Sequence, residues 1–180
     1  MKVLIASDIH GSHKGISLFA AQVGDQKPDL VILLGDILYH GPRNPLPEAY
    51  DPKEVIEVLS GLNSNVALVR GNCDSEVDQM VLPFQFVENL FLADADKMIF
   101  ACHGHNLPDD QKEIKLQPDT AVLSGHTHIP KAEQRGIFHF WNPGSVSLPK
   151  ENNPPSYGFY ENGLFEVRDF SGKTLMKDRL

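Results

Sequence analysis

Two cysteines in 180 residues, Cys73 and Cys102, cannot build a disulfide framework, and so low a count fits a reducing compartment. Long apolar runs are missing too. None exceeds five residues, which leaves no helical segment able to span a bilayer. Met1-Lys2-Val3 leads straight into a strand and not into an apolar leader, so the expected location is cytoplasmic, with no membrane partner. Positive charge is scarce: 16 Lys and Arg face 24 Asp and Glu, for a net charge of −8. No basic patch offsets that balance, which argues against a nucleic-acid partner. Internal repeats and low-complexity tracts are absent. What is present, 41% hydrophobic and 22% charged residues with 14 Gly and 13 Pro, is the make-up of an α/β protein with many structured loops. A single domain over residues 1–180 is expected.

One stretch then stands out. Val31-Ile32-Leu33-Leu34 is an apolar run that stops at Gly35-Asp36. A run so short and branched predicts a strand buried on both faces of a sheet, with Asp36 at its carboxyl end, where open α/β sheets hold ligands. An ionised carboxylate there calls for a cation. The device recurs along the chain. Lys2 to Ser7 predicts a strand that ends in Asp8-Ile9-His10, and residues two apart in extended chain share a side, so Asp8 and His10 are expected to face one ion. Gly15 to Val23 has apolar residues at helical spacing; strand, helix and strand in that order predict a parallel crossover unit that gathers Asp8, His10 and Asp36 at one edge.

Tyr39 to Tyr50 carries Pro42, Pro45 and Pro47 around Arg43, which predicts a stiffened loop. It is either a connector or a rim that offers Arg43 to a phosphate. Asp51-Pro52 opens a helix that runs to Ser60. Val66 to Val69 predicts a third strand, followed by Arg70-Gly71-Asn72-Cys73-Asp74, and Ser75 to Leu82 a short helix. Met98 to Cys102 ends in His103-Gly104-His105, and Thr120 to Leu123 ends in Ser124-Gly125-His126-Thr127-His128. Ile137 to Trp141 leads into the turn Asn142-Pro143-Gly144-Ser145, and Tyr157 to Tyr160 with Leu164 to Phe170 predicts a terminal hairpin.

Set in order, the groups at strand ends are Asp8, His10, Asp36, Asn72, His103, His126 and His128. A single ion with room for substrate takes three or four protein ligands, so seven fit two ions that share one carboxylate, with Asp36 the natural bridge. Imidazole, carboxylate and one amide oxygen suit manganese, iron, cobalt, nickel or zinc better than calcium. Any one of these groups alone is commonly a turn residue or a satisfied polar group. Their conjunction behind successive apolar strands is hard to explain in that way.

Asp8-Ile9-His10, Gly35-Asp36, Gly71-Asn72, His103-Gly104-His105 and Gly125-His126-Thr127-His128 together resemble the motif series of the calcineurin-like metallophosphoesterases. Gly41-Pro42-Arg43-Asn44, the run from Arg70 to Met80 and Asn142-Pro143-Gly144-Ser145-Val146-Ser147 narrow the likeness to the small bacterial YfcE-type phosphodiesterases, over nearly the whole chain. That resemblance implies a four-layer αββα sandwich, two mixed β-sheets face to face with helices outside. It implies that Asp8, His10 and His128 hold one ion, that Asn72, His103 and His126 hold the other, and that Asp36 bridges them. Two divalent ions, manganese foremost, would then supply a bridging hydroxide that attacks a small phosphodiester. Asp36, Asn72, His103 and Cys73 are the catalytic residues expected, with Arg43, Cys73 and His105 lining the substrate. His105 either orients a neighbour or fills the wall. Many members carry a His where this chain has Cys73, and a thiol is a weak proton donor, so leaving-group assistance is expected to be poor unless Cys73 is only a wall residue. The other readings are a phosphomonoesterase or dinucleoside polyphosphatase, and a Vps29-like metal-binding interaction scaffold. A homo-oligomer is expected from the subgroup, with Phe84 and Phe86 either at an interface or in the core.

Overall fold

The computed structural model describes residues 1–108 and 113–180. Three helices start where the sequence supplies acceptors for their first N–H groups. Helix α1 (His13–Gln26) is capped by Ser12, whose Oγ accepts from the Gly15 N–H at 3.1 Å. Asp51 caps α2 (Pro52–Ser60) through the N–H groups of Lys53 and Glu54, with Pro52 in the first turn. Helix α3 (Glu76–Val81) is short and has a reciprocal capping box between Ser75 and Asp78.

The strands form two sheets. In the first, β1 (Lys2–Ala6), β2 (Leu30–Leu33), β3 (Val66–Val69) and β4 (Phe86–Val87) run parallel. Antiparallel β10 (Ser156–Glu161), β11 (Leu164–Asp169) and β12 (Thr174–Arg179) extend it, giving the order β12-β11-β10-β1-β2-β3-β4. The second sheet takes β5 (Asn89–Asp94), β6 (Lys97–Cys102), β7 (Ala121–Leu123), β8 (Lys131–Arg135) and β9 (Phe138–Asn142) in the order β5-β6-β7-β9-β8. Its middle three strands are parallel.

Alternation along the strands explains the layers. Leu4, Ala6, Val31 and Leu33 point to one side and pack with Ile16 and Phe19 of α1 and Val55 and Leu59 of α2. Val3, Ile5, Ile32 and Leu34 point to the other and meet Ile99, Ala101, Leu123 and Trp141 of the second sheet. Strand β2 is therefore buried on both faces, as its unbroken apolar run requires. Trp141 stacks on Phe165 with ring centroids 4.7 Å apart and planes 8° apart, and its indole N–H donates to Asp178 of β12 at 2.8 Å, so the sheets are joined by apolar and polar contacts together.

The two mixed sheets and flanking helices follow the expected architecture. Phe91 and Met98, on the outward face of the five-stranded sheet, are exposed. The connection beyond His103 is where a covering element would fall, and residues 109–112 within it lie outside the described residues. Phe84 and Phe86 are half-buried and pack against the first core; the exposed apolar side chains nearby are Val77, Met80, Val81 and Val87.

Candidate metal centre

All seven expected ligands come from loops at the carboxyl ends of β1, β2, β3, β6 and β7. Their delivery differs from the extended geometry expected for Asp8 and His10. Asp8 (φ 54°), His10 (φ 50°), Asp36 (φ 55°), His126 (φ 64°) and His128 (φ 61°) all have left-handed backbone. Side chains rarely adopt that conformation, and a cluster of such residues marks a site where the surroundings enforce strain. Those surroundings are specific. The Asp8 and His10 N–H groups donate to the Gly35 and Asp36 carbonyls at 3.2 and 2.8 Å. Ser145 and Ser147 hydroxyls donate to the Asp8 carbonyl at 2.8 and 2.9 Å, and the Asn142 amide donates to the Gly125 carbonyl at 2.7 Å. Two glycines are required by close approach: a Cβ on Gly71 would collide with the Asp36 carboxylate, and one on Gly125 with the Ser7 hydroxyl.

Around the first group of ligands, protons are already allotted. The Nδ1 of His10 lies 2.8 Å from the Tyr39 carbonyl and the Nδ1 of His128 lies 2.6 Å from the Leu148 carbonyl. A carbonyl only accepts, so both Nδ1 atoms carry hydrogen. Burial keeps both rings neutral, with His128 lowered to about 4. Each Nε2 is then a bare lone pair, yet the two Nε2 atoms are 3.2 Å apart. Asp8 Oδ1 sits 3.4 Å from one and 3.8 Å from the other, buried and without a hydrogen-bond partner among the described residues. Its second oxygen is occupied by the Ser7 hydroxyl at 2.6 Å and the His126 N–H at 3.0 Å. Burial nevertheless pushes the Asp8 carboxyl well above the ordinary carboxylate range. Two bare imidazole lone pairs converging on a buried, unpartnered carboxyl oxygen fit a cation, which would hold that carboxyl ionised.

A second group has the same logic. His103 Nδ1 donates to the Leu34 carbonyl at 2.6 Å, leaving Nε2 as an acceptor 3.0 Å from Asn72 Oδ1, another acceptor. Burial lowers His103 to about 4. The His126 ring lies 5.1 Å from that of His103. Asp36 stands between the groups: Oδ2 is 3.6 Å from His10 Nε2 and Oδ1 is 3.5 Å from His103 Nε2. That placement gives one carboxylate access to both sides.

Two contributors were not legible in the sequence. Asp74 is buried and accepts the N–H groups of Asp36, Ile37 and Gly71 at 2.8, 2.8 and 2.7 Å, which ties the loops after β2 and β3 together. Burial still raises its carboxyl to about 6. Lys150 shares with Arg43, Asn72, Cys73, His126 and His128 the lining of a cavity of about 680 Å³ in front of Asp36. Nothing in local periodicity marks either residue, because each is positioned by tertiary contacts. The Cys73 N–H donates to Asp36 Oδ1 at 2.8 Å, while burial and then the Asp36 charge push its thiol up to about 12. His105 is exposed beside His103 and His126, with ring centroids 5.4 and 6.1 Å away, and does not line that cavity.

A family model for the calcineurin-like phosphoesterase superfamily domain matches residues 1–162. The chain belongs to this superfamily. Among its calcineurin-like relatives, phosphodiesterase YfcE of Escherichia coli strain K12 is 49% identical over 173 residues, covering 93% of this chain and 91% of the relative. The solved structure of Yfce, a phosphoesterase from E. coli, superposes with a TM-score of 0.91 over 98% of each chain, at 40% identity in that superposition. Probable metallophosphoesterase YsnB of Bacillus subtilis strain 168 is 26% identical over 194 residues, 98% of this chain and 100% of the relative. Vps29 from Entamoeba histolytica, solved with zinc, shares the fold at TM-score 0.63 and 21% identity over 100% of this chain and 98% of its own.

Proposed function

We propose that the chain hydrolyses small phosphodiesters, using two divalent ions held by Asp8, His10 and His128 on one side, by Asn72, His103 and His126 on the other, and by Asp36 between them. Manganese is the ion favoured. The observation that carries the reading is the convergence of the bare Nε2 lone pairs of His10 and His128 on the buried, unpartnered Oδ1 of Asp8. Near identity in fold to Yfce and 49% sequence identity to the phosphodiesterase YfcE support the choice of reaction. When bound, the ions supply hydroxide near neutral pH and neutralise charge on the phosphoryl oxygens.

The chain's own groups do the rest. Carbonyls of Tyr39, Leu148 and Leu34 fix the histidine tautomers, so the ligating nitrogens need lose no proton at neutral pH. The Cys73 N–H orients Asp36. Arg43 lines the cavity in front of Asp36 from the loop after β2 and faces the substrate there. A thiol is a weak proton donor, so Cys73 leaves the departing alcohol largely unassisted. The free thiols of Cys73 and Cys102 are compatible with the cytoplasm, and exposed Val77, Met80, Val81 and Val87 support a homo-oligomer. A net charge of −8 disfavours nucleic acid as substrate. Against the scaffold reading stands the competence of all seven ligand positions.

Chelator-stripped protein tests this with bis-p-nitrophenyl phosphate and p-nitrophenyl phosphate, each with and without manganese. Diester turnover that returns with the metal and exceeds monoester turnover is expected. Preferred monoester turnover would favour a phosphomonoesterase, and metal binding without any turnover would favour the scaffold.

A further inference from the structure

We propose that Arg43 and Lys150 together bind a second anionic group on the substrate, so that the favoured diesters carry a carboxylate or phosphate on the alcohol that is not expelled. The inference rests on the phosphodiesterase reading and names its substrate class. Both side chains line the 680 Å³ cavity, from loops far apart in sequence. A cavity of that size exceeds the needs of a simple dialkyl phosphate and lies in the ordinary range for small-molecule sites. Neither cation has an ion-pair partner among the described residues, so both charges are free to meet a ligand in the cavity they share. In a chain of net charge −8, two unpaired cations sharing one concavity is an arrangement that invites an anion.

Lys150 is held firmly even though its side chain is exposed. Its N–H donates to the carbonyl of His128 at 3.2 Å, and its own carbonyl accepts from the main-chain N–H and side-chain amide of Asn153 at 3.2 and 2.9 Å. The ammonium thus projects from a position fixed to a metal-ligand candidate. Its field reaches Asp8, His10, His126 and His128, and that of Arg43 reaches His126. The only carboxylate lining the cavity among the described residues, Asp36, is committed to the Cys73 N–H and to the two histidine groups. Two divalent ions against Asp8 and Asp36 leave two positive charges, which a diester anion and the attacking hydroxide cancel. Arg43 and Lys150 are then surplus, and a second substrate anion matches them.

The test uses three p-nitrophenyl esters that differ only at the far end of the other arm: propyl, 2-carboxyethyl and 2-phosphonoethyl. With manganese-loaded protein, KM for the two charged arms should be lower than for propyl by about fivefold, the factor that a solvent-facing ion pair worth about 1 kcal/mol provides, with kcat little changed between arms. Similar gains for both arms would indicate recognition of charge; a larger gain for the phosphonate would indicate a phosphate-bearing substrate. Lys150→Met should erase the difference between arms and Lys150→Arg should restore it. Calorimetric titration with 3-phosphonopropionate and propylphosphonate gives the same comparison without turnover. Equal KM and equal affinity across the series, or a Lys150→Met enzyme that keeps the preference, would overturn the inference while leaving the phosphodiesterase reading intact. Failure to hydrolyse even the propyl ester would remove that reading and the inference with it.

Discussion

At the scale of single residues, the candidate centre depends on where hydrogens and charges can go. Asp36 has one oxygen towards each ligand group. Asp36→Ala should therefore lose at least on the order of a thousandfold in kcat/KM for bis-p-nitrophenyl phosphate, and an active variant with its full metal content would refute the bridging role. Cys73 makes a separate prediction. In the metal-free chain burial, and then the carboxylates of Asp36, Asp74 and Asp8, drive its thiol upward, and a thiol is in any case a weak proton donor. Rates on a series of aryl and alkyl diesters should then fall steeply as leaving-group pKa rises, and Cys73→His should flatten that dependence. A flat dependence in the unaltered protein would mean that Cys73 or another group does protonate the leaving oxygen.

At the scale of elements, the parallel strands other than β4 were legible as short apolar runs that lead into Gly, Asp, Asn or His, and the hairpin of β10 and β11 because Asn162-Gly163 marks its turn. Strands β4, β5, β8 and β12 were not. β4 has two residues, and Lys131–Arg135 is polar apart from Ala132, as suits an edge strand held mainly by pairing to β9. The left-handed ligand positions were equally hidden, since hydrogen bonds from other loops, and not local composition, impose them. Asp74 is the clearest case: it looks like a turn residue in sequence, yet it fastens the end of β2 to the end of β3. Asp74→Ala strands three backbone N–H groups and should cost roughly 3 kcal/mol or more in the metal-free protein, read from its urea midpoint. An unchanged midpoint would mean that the two loops are fastened by something else.

For the molecule as a whole, two sheets pressed together bury the strand ends that carry His103 and His128, and burial is what sets their titration. Both fall to about 4 in the folded chain against 6.5 when unfolded. Between those values the unfolded chain takes up protons that the folded chain refuses, so the metal-free protein should lose stability as pH drops from 6.5 towards 4. His10 and His126 are lowered too and add to this slope. Asp8 and Asp74 oppose it, because their raised carboxyls bind protons more readily folded than unfolded, but they are two groups against four. A Tm of chelated protein that is lower at pH 5 than at pH 7.5 is expected; a flat or rising Tm would show that the histidines titrate as if exposed. Manganese should raise Tm at neutral pH by mass action. The binuclear claim itself is tested most directly by calorimetric titration of manganese into chelator-stripped protein. Two ions per wild-type chain are expected, with weakened binding at both sites in Asp36→Ala. A single ion per chain, or two ions whose binding is indifferent to Asp36, would contradict it.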